Sequence, residues 1–203
     1  MSTTRLLMLG AVRIFQPAHG YLVRRELASW EVDQWAHLNP GSIYNALRTL
    51  TRDGFLTEEQ TDRAIGGFGS AAKAAYRLTA VGEEEFFRLL RAGLWQVDPS
   101  DPARLLAALS FCPALPRAEV LDALETRRAQ LQARLSGLRH QEAEVLQNPL
   151  KPDHVTEHFR LIGHVIGAEL AWLAEFGDRV RGGAYAFAGE SGLETFIQVV
   201  NQT

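Results

Sequence analysis

Five polar side chains recur on one side of residues 40–53, where residue types and spacing indicate chemistry most clearly. They are Ser42, Tyr44, Asn45, Arg48 and Arg52. Hydroxyl and guanidinium groups bind phosphates, and Asn and Arg read the edges of bases. The pattern is therefore typical of a helix that lies in a DNA major groove. A solvated amphipathic helix without any ligand is the alternative interpretation.

The same stretch carries signals for both ends of a helix and for its buried side. Asn39 predicts an N-terminal cap, and Pro40 suits the first turn. Asp53-Gly54 predicts the end of the helix, because glycine readily adopts the left-handed conformation found there. Apolar residues recur at helical spacing and should face a core. They are Ile43, Leu47 and Leu50.

Further elements are expected on both sides of this helix. Residues 3–15 predict an apolar first helix, and His19-Gly20-Tyr21 opens a second one. Residues 55–60 and 74–79 predict two strands of a hairpin with a long glycine-rich tip. No Gly-Lys-Ser/Thr follows the glycines, which argues against a phosphate-binding loop. Thr79 then caps a helix that runs to about Trp95.

The second half of the chain is predicted to be helical. After a Pro/Asp-rich linker and a short helix over 102–111, two long helices cover 116–147 and 153–181. Their apolar residues alternate by three and four, with Arg128 and Glu169 among the polar interruptions. This predicts an antiparallel helical hairpin that packs against a second copy of the chain.

The fold class that follows is mainly α, with a small hairpin. We expect a winged helix-turn-helix domain over residues 1–96 and a helical dimerisation domain over 102–182. Residues 183–203 form a tail, either frayed or ending in a short docking helix.

Composition limits the function classes. Residues 1–95 carry 11 basic and 10 acidic side chains, for a net charge of +1, and the rest carry 10 against 14, for −4. The front half is thus the better partner for a polyanion. Cys112 is the only cysteine, so no internal disulfide forms. No apolar run has membrane-spanning length, and we expect a cytoplasmic protein without a membrane partner.

Four segments in order resemble the PadR family of bacterial transcriptional regulators. They are His19-Gly20-Tyr21, Gly41-Ser-Ile-Tyr-Asn-Ala-Leu-Arg-Thr-Leu50, Gly54-Phe55-Leu56 and Tyr76-Arg-Leu-Thr-Ala-Val-Gly82. The resemblance implies a homodimeric repressor that binds a palindromic operator in double-stranded DNA. It also implies release from DNA by a small aromatic effector.

Two departures from the family pattern concern the DNA contacts. Family members commonly have proline where Asn45 stands, so Asn45 is a candidate adenine reader; tolerance of substitution at an exposed site is the alternative. Family wings commonly carry several basic residues, whereas Arg63 and Lys73 alone flank this tip. Both are included in the predicted DNA contacts, although the electrostatic contribution of the wing should be small.

Candidate small-ligand sites lie in the second half. His158, Val165 and Trp172 follow one another at intervals of seven residues, and His158 and Trp172 together with Trp95 are candidates to bind a planar aromatic effector. Ordinary interface packing is the alternative. His154 and His158 share a helix face as zinc ligands do, but no cysteine cluster supports them. We therefore predict no metal site and no cofactor.

An enzyme and a protein-binding module are the two other classes of function to consider. No Gly-x-Ser-x-Gly segment, recognisable Cys–His pair or phosphate loop with lysine is present, so an enzyme is not expected. A winged-helix module that binds another protein remains the alternative, because the net charge of the front half of the chain is close to zero.

Overall fold

The computed structural model describes residues 2–61, 73–99 and 101–191, which form two compact units. The first unit contains Met1–Gly93 and Asp98–Cys112, and the second contains Leu94–Val97 and Pro113–Glu190. The first unit thus extends past residue 96 and includes a helix that the sequence assigned to the second domain. The assignment of functions to the predicted domains stays a prediction.

The first unit is mainly helical. Its helices are α1 (Ser2–Phe15), α2 (Gly20–Ser29), α3 (Val32–Trp35), α4 (Pro40–Arg52), α5 (Ala80–Trp95) and α6 (Ala103–Phe111). Phe111 packs edge-on against Phe86 and Trp30, with ring centroids 5.7 Å apart in each pair. Gly10 of α1 leaves room for this ring, because a Cβ there would lie 2.3 Å from Phe111. The short helix α3 was not predicted.

A three-stranded antiparallel sheet completes the first unit, in the order β1-β3-β2. The strands are β1 (Ala18–His19), β2 (Leu56–Thr61) and β3 (Lys73–Leu78). The predicted hairpin is confirmed, with Glu58 opposite Tyr76. The second helix begins at Gly20 with His19 as its N-cap, as predicted, but His19 also pairs with Ala75 in the strand β1, which was not predicted. A strand of two residues is too short to show the alternation of apolar and polar side chains that predicts a strand from the sequence.

The start of α5 confirms the predicted cap. The Gly82 backbone N–H donates to Thr79 Oγ1 over 3.0 Å, and this hydroxyl donates to the Gly54 carbonyl over 2.7 Å. Thr79 therefore joins the start of α5 to the corner that follows α4.

The second unit consists chiefly of α7 (Arg117–Leu146) and α8 (Glu157–Arg181), which confirms the two long helices. Short 3₁₀ turns cover Cys112–Ala114 and Asp153–Thr156. The predicted inward position of Arg128 is wrong, because Arg128 is exposed and Arg127 is buried. Two adjacent arginines cannot be told apart by periodicity, and the position of the partner carboxylate decides between them.

Arg127 makes two strong contacts inside the second unit. Its Nε donates to Glu169 Oε1 over 2.6 Å, and its Nη1 donates to the Gln96 carbonyl over 2.7 Å. Nearby, the Gln130 side chain bonds the Trp95 carbonyl and the Val97 N–H. Residues 95–97 are therefore held by α7.

The chain after α8 packs back onto the start of α7. Arg117 forms a bidentate pair with Glu190 and also donates to the carbonyls of Val180 and Tyr185. Phe187 is fully buried beside it. The start of the predicted tail is thus docked, and the amphipathic stretch 193–200 lies outside the described residues. No described helix is long and apolar enough to cross a membrane.

Candidate nucleic-acid interface

Helix α4 presents the two faces that its sequence predicts. Ile43, Leu47 and Leu50 are at most 3 % exposed. The five predicted contact residues are all exposed on the other side of the helix: Ser42, Tyr44, Asn45, Arg48 and Arg52. A buried apolar face fixes the helix, so the polar face has a defined direction.

Tyr44 is positioned by a glycine of α2. A Cβ built on Gly20 would lie 2.8 Å from Tyr44 Cε1 and 3.5 Å from Leu47 Cδ1, so only glycine permits this approach. The Tyr44 side chain nevertheless stays 43 % exposed. The contact accounts for the glycine at the start of α2 and the tyrosine in α4. One side of the Tyr44 ring packs against α2, and the other side is open to solvent.

Arg48 is held on the outer face by its neighbour. Its Nη2 donates to Asn45 Oδ1, three residues earlier on the same face. The charge of Arg48 also lowers the pKa of Tyr76 on β3, although burial and Glu58 raise that pKa overall. Arg48 forms no ion pair with any described residue, so its charge is available to a ligand.

Arg52 differs from Arg48. Its Nε and Nη2 donate to Asp53 Oδ1 over 3.0 and 2.9 Å. Two further exposed arginines of the first unit have local carboxylate partners. Arg25 pairs with Glu26 at 2.9 Å, and Arg77 pairs with Glu59 at 3.5 Å. These pairs reduce the positive charge that the unit offers to a polyanion.

The N-terminus of α4 corrects one prediction. Asn39 makes no side-chain capping bond. Instead, its carbonyl accepts the Ser42 hydroxyl over 2.6 Å and the Ser42 N–H over 2.9 Å. The Asn39 side chain therefore leaves the first N–H groups of the helix without the predicted partner. Ser42 has to rotate its hydroxyl before it can donate to a phosphate.

The side chains of the two predicted wing contacts, Arg63 and Lys73, are not described by the structure. Arg63 lies outside the described residues, and Lys73 begins β3 with a side chain that is likewise outside them. Sequence reasoning missed Arg24, which is exposed on α2. Arg24 lies one helical turn after Gly20, which contacts Tyr44. Its position one helical turn after Gly20, within the helix that the His19-Gly20-Tyr21 segment opens, was the signal in the sequence that could have indicated Arg24 as a DNA contact.

Residues 8–88 match the model of the transcriptional regulator PadR-like family. Over these residues the chain is similar to PadR-like regulators. The match includes α2, α4 and both strands of the hairpin, and thus every DNA contact predicted from the sequence. The PadR family consists of transcriptional regulators. No curated protein matches the chain.

Several solved structures are similar to the chain at low identity. Bacillus subtilis PadR in complex with operator DNA is 18% identical, with 87% of this chain and 98% of that chain covered and a TM-score of 0.37. The same protein in complex with p-coumaric acid is 18% identical, covering 88% and 97%, with a TM-score of 0.36. A PadR-like transcriptional regulator from Bacillus cereus is 15% identical, covering 88% and 98%, with a TM-score of 0.35.

The three candidate effector residues lie beyond the PadR-like match. Trp95 is half-buried at the end of α5, and Trp172 is half-buried and stacked on Phe176 at 5.2 Å. His158 is exposed and lies 3.7 Å from the Phe159 ring, centroid to centroid. Fourteen residues of helix place His158 roughly 21 Å along α8 from Trp172. The structure therefore does not bring these two side chains together within one chain.

Metal and thiol chemistry find no support in the described residues. They contain no group of three or more His, Cys, Asp or Glu side chains that could hold a metal ion. Burial raises the pKa of the Cys112 thiol to about 12, so it stays protonated at neutral pH. A protonated buried thiol is a poor nucleophile.

Proposed function

We propose that the protein is a homodimeric, sequence-specific DNA-binding transcriptional regulator that acts as a repressor. One observation carries the proposal. In a PadR-like domain, α4 buries its apolar side and presents Tyr44, Asn45 and Arg48 to solvent. Helices of this kind enter the major groove, where side chains of these types contact phosphates and base edges.

The contacts divide by chemistry. Tyr44 and Arg48 lie one helical turn apart, so a phenol and a guanidinium that forms no ion pair with a described residue reach neighbouring positions on the duplex. Arg24 on α2 adds a cation for the phosphate backbone. The carboxylate partners of Arg25 and Arg52 compete with phosphates, so these arginines contribute less.

An exposed apolar face on α8 supports dimerisation. Leu161 and Val165 are 66 % and 61 % exposed and lie one helical turn apart, and Trp172 follows seven residues later. Another face of α8 packs on α7, with Ile166 and Leu173 buried. Pairing with a second copy would remove the exposed apolar face from water. A two-fold dimer would place its recognition helices roughly 34–36 Å apart, on half-sites one turn apart.

Selection of bound sequences from random duplex DNA at physiological salt tests the proposal. We expect a palindromic consensus and an affinity that falls steeply as salt rises, because bound phosphates release counterions. Absence of enrichment over several rounds would contradict DNA binding. A promoter that overlaps the consensus should give less transcript when the protein is added, and an increase would contradict the repressor assignment.

A protein-binding winged-helix module is the second candidate. The local neutralisation of Arg25, Arg52 and Arg77 favours it, because these pairs leave few free cations near α4. Measuring the affinity for duplex DNA at increasing salt concentration separates the two candidates. A protein-binding module would show no salt-dependent affinity for any duplex.

The effector part of the proposal concerns the second unit. We propose that a planar aromatic compound stacks on the exposed portions of Trp95 or Trp172 and releases DNA. Titration with such compounds should quench tryptophan fluorescence and weaken operator binding in parallel. Trp95→Phe and Trp172→Phe identify the ring involved, and quenching that persists in both variants would contradict the assignment.

A further inference from the structure

The hydrogen bond between Arg48 and Asn45 gives these two residues different tasks. We propose that Asn45 is a positioning residue that holds Arg48 for the recognition of guanine, and does not itself read adenine. The inference rests on the proposed function and specifies which base pair the outer face of α4 selects.

The first step concerns the amide of Asn45. Asparagine reads adenine with both of its polar atoms, since the oxygen accepts from N6 and the nitrogen donates to N7. In this structure Asn45 Oδ1 accepts a hydrogen bond from Arg48 Nη2. Reading adenine would require the same oxygen to accept from both the guanidinium and N6, with two donors converging on it.

The second step concerns what the pair presents outward. With one lone pair of the amide oxygen bonded to Arg48, most of the remaining hydrogen-bonding groups are N–H donors on the guanidinium and on the Asn45 amide. Guanine presents two acceptors, N7 and O6, in the major groove, whereas adenine presents a donor beside its N7. A surface of donors matches guanine and opposes the N6 amino group of adenine.

The third step is a comparison of two arginines on α4. Among the described residues Arg48 has only a neutral partner, so both its charge and most of its N–H groups stay available. Arg52 directs two of its nitrogens at Asp53. The planar fork that contacts guanine bidentately is therefore available on Arg48 and occupied on Arg52.

The test is the same random-duplex selection, carried out on the full chain and four variants. Asn45→Ala removes the acceptor, and Asn45→Asp keeps an acceptor for Arg48 while adding charge. Arg48→Lys keeps the charge and removes the fork, and Arg139→Ala, an exposed arginine of α7 outside the contact face, is the matched control. Thermal unfolding of each variant confirms that the exposed substitutions leave the fold intact.

We expect the wild-type consensus to contain one guanine per half-site that depends on Arg48. Arg48→Lys should reduce the preference for this guanine roughly 5- to 150-fold, the range of a bidentate arginine contact. Asn45→Ala should weaken the same preference several-fold, without changing the salt dependence of binding. Asn45→Asp should keep the guanine and bind more weakly overall, and Arg139→Ala should keep both the consensus and the affinity.

Three results would overturn the inference. One is an unchanged guanine preference in Asn45→Ala, and another is a lost guanine preference in Asn45→Asp. The third is that Asn45→Ala alters the selection at an adenine, which would make Asn45 a direct reader. A wild-type pool without any consensus is a different failure, since it overturns the proposed function as well.

Discussion

Two arginines near α4 in the first unit and two arginines of the second unit are paired in different ways. Near α4, Arg52 and Arg25 pair with the carboxylates next to them in sequence, Asp53 and Glu26. In the second unit, Arg127 reaches Glu169, 42 residues away, and Arg117 reaches Glu190, 73 residues away. The first arrangement is local and exposed, whereas the second spans elements.

This difference separates side chains that are available to a ligand from those that maintain the fold. An exposed pair between sequence neighbours contributes little to stability, and either partner is free to exchange it for another ion. A buried arginine that joins distant elements leaves an uncompensated charge when its partner is lost. The first unit therefore keeps its α4 surface adaptable, while the second unit depends on fixed bridges.

The largest effect is expected at Arg127. Arg127→Ala leaves the Glu169 carboxylate and the Gln96 carbonyl without their partner, and should reduce the free energy of unfolding by about 3–5 kcal/mol. Urea denaturation measures the change.

The neighbouring Arg128 is the matched control for this experiment. It is exposed and pairs with Glu125 on the same helix, so Arg128→Ala should leave the urea midpoint unchanged. Equal losses in the two variants would contradict the distinction between bridging and local arginines.

The next effect concerns the support of Tyr44 in the first unit. Gly20→Ala places a methyl group 2.8 Å from Tyr44 Cε1, so the ring has to turn away. The ring is the end of a flexible side chain, and the stability change should stay small. Affinity for the selected duplex should fall roughly tenfold, in the range of one lost specific contact. Fluorescence anisotropy measures it.

Gly137→Ala is the control for the glycine substitution. A Cβ at Gly137 has no heavy atom within 4 Å, and the residue lies in α7. Its operator affinity should equal that of the wild type. Undiminished binding by Gly20→Ala would show that the Tyr44 ring does not need its position on α2.

A smaller effect is expected at the start of α5. Thr79→Ala removes the acceptor of the Gly82 N–H and the donor to the Gly54 carbonyl, and should cost about 1 kcal/mol. Thr79→Ser retains the hydroxyl and should lose much less. Thermal unfolding distinguishes them, and equal melting temperatures of the two variants would refute the capping role.

The smallest effect is expected at Glu85, which pairs with one local and one distant arginine. Glu85 in the first unit contacts both its neighbour Arg88, at 2.6 Å, and the distant Arg5, at 3.0 Å. Arg88 foremost, together with Arg5, holds the pKa of Glu85 below its ordinary value. A lowered folded pKa stabilises the fold above the ordinary value near 4.5, and this contribution disappears as pH falls through the lowered pKa.

Glu85→Gln should therefore be less stable than the wild type at pH 7, and the gap should narrow as the pH drops below 4.5. Denaturant titrations over this range measure the gap. The exposed Glu84 provides the control substitution Glu84→Gln. A gap that widens on acidification would contradict the assigned direction of the pKa.

Periodicity predicted most of the fold because most elements bury a regular face. The two faces of α4, the cap at Thr79, the hairpin strands and both long helices follow from spacing and turn residues alone. The strand Ala18–His19 did not, because it exists only through its pairing with β3. The Asn39 cap failed for a related reason, since a capping residue type does not fix the direction of its side chain.

The outer face of α4 was predicted as a set of residues, but not as an arrangement. Sequence reasoning gave Asn45 and Arg48 independent contacts, whereas their mutual hydrogen bond joins them. It also treated Arg52 like Arg48, because periodicity carries no information about competition from Asp53. Side-chain pairing depends on rotamers that the residue types leave open.

The most direct measurement is the operator affinity of a double variant, Tyr44→Ala with Arg48→Ala, at physiological salt. Our account predicts a loss of roughly 100-fold or more, since two groups of the contact face are removed at about 1–3 kcal/mol each. Sedimentation should show that the dimer persists, and Arg139→Ala on α7 should bind like the wild type. Operator affinity that survives the double substitution would contradict the assignment of α4 as the DNA-reading surface.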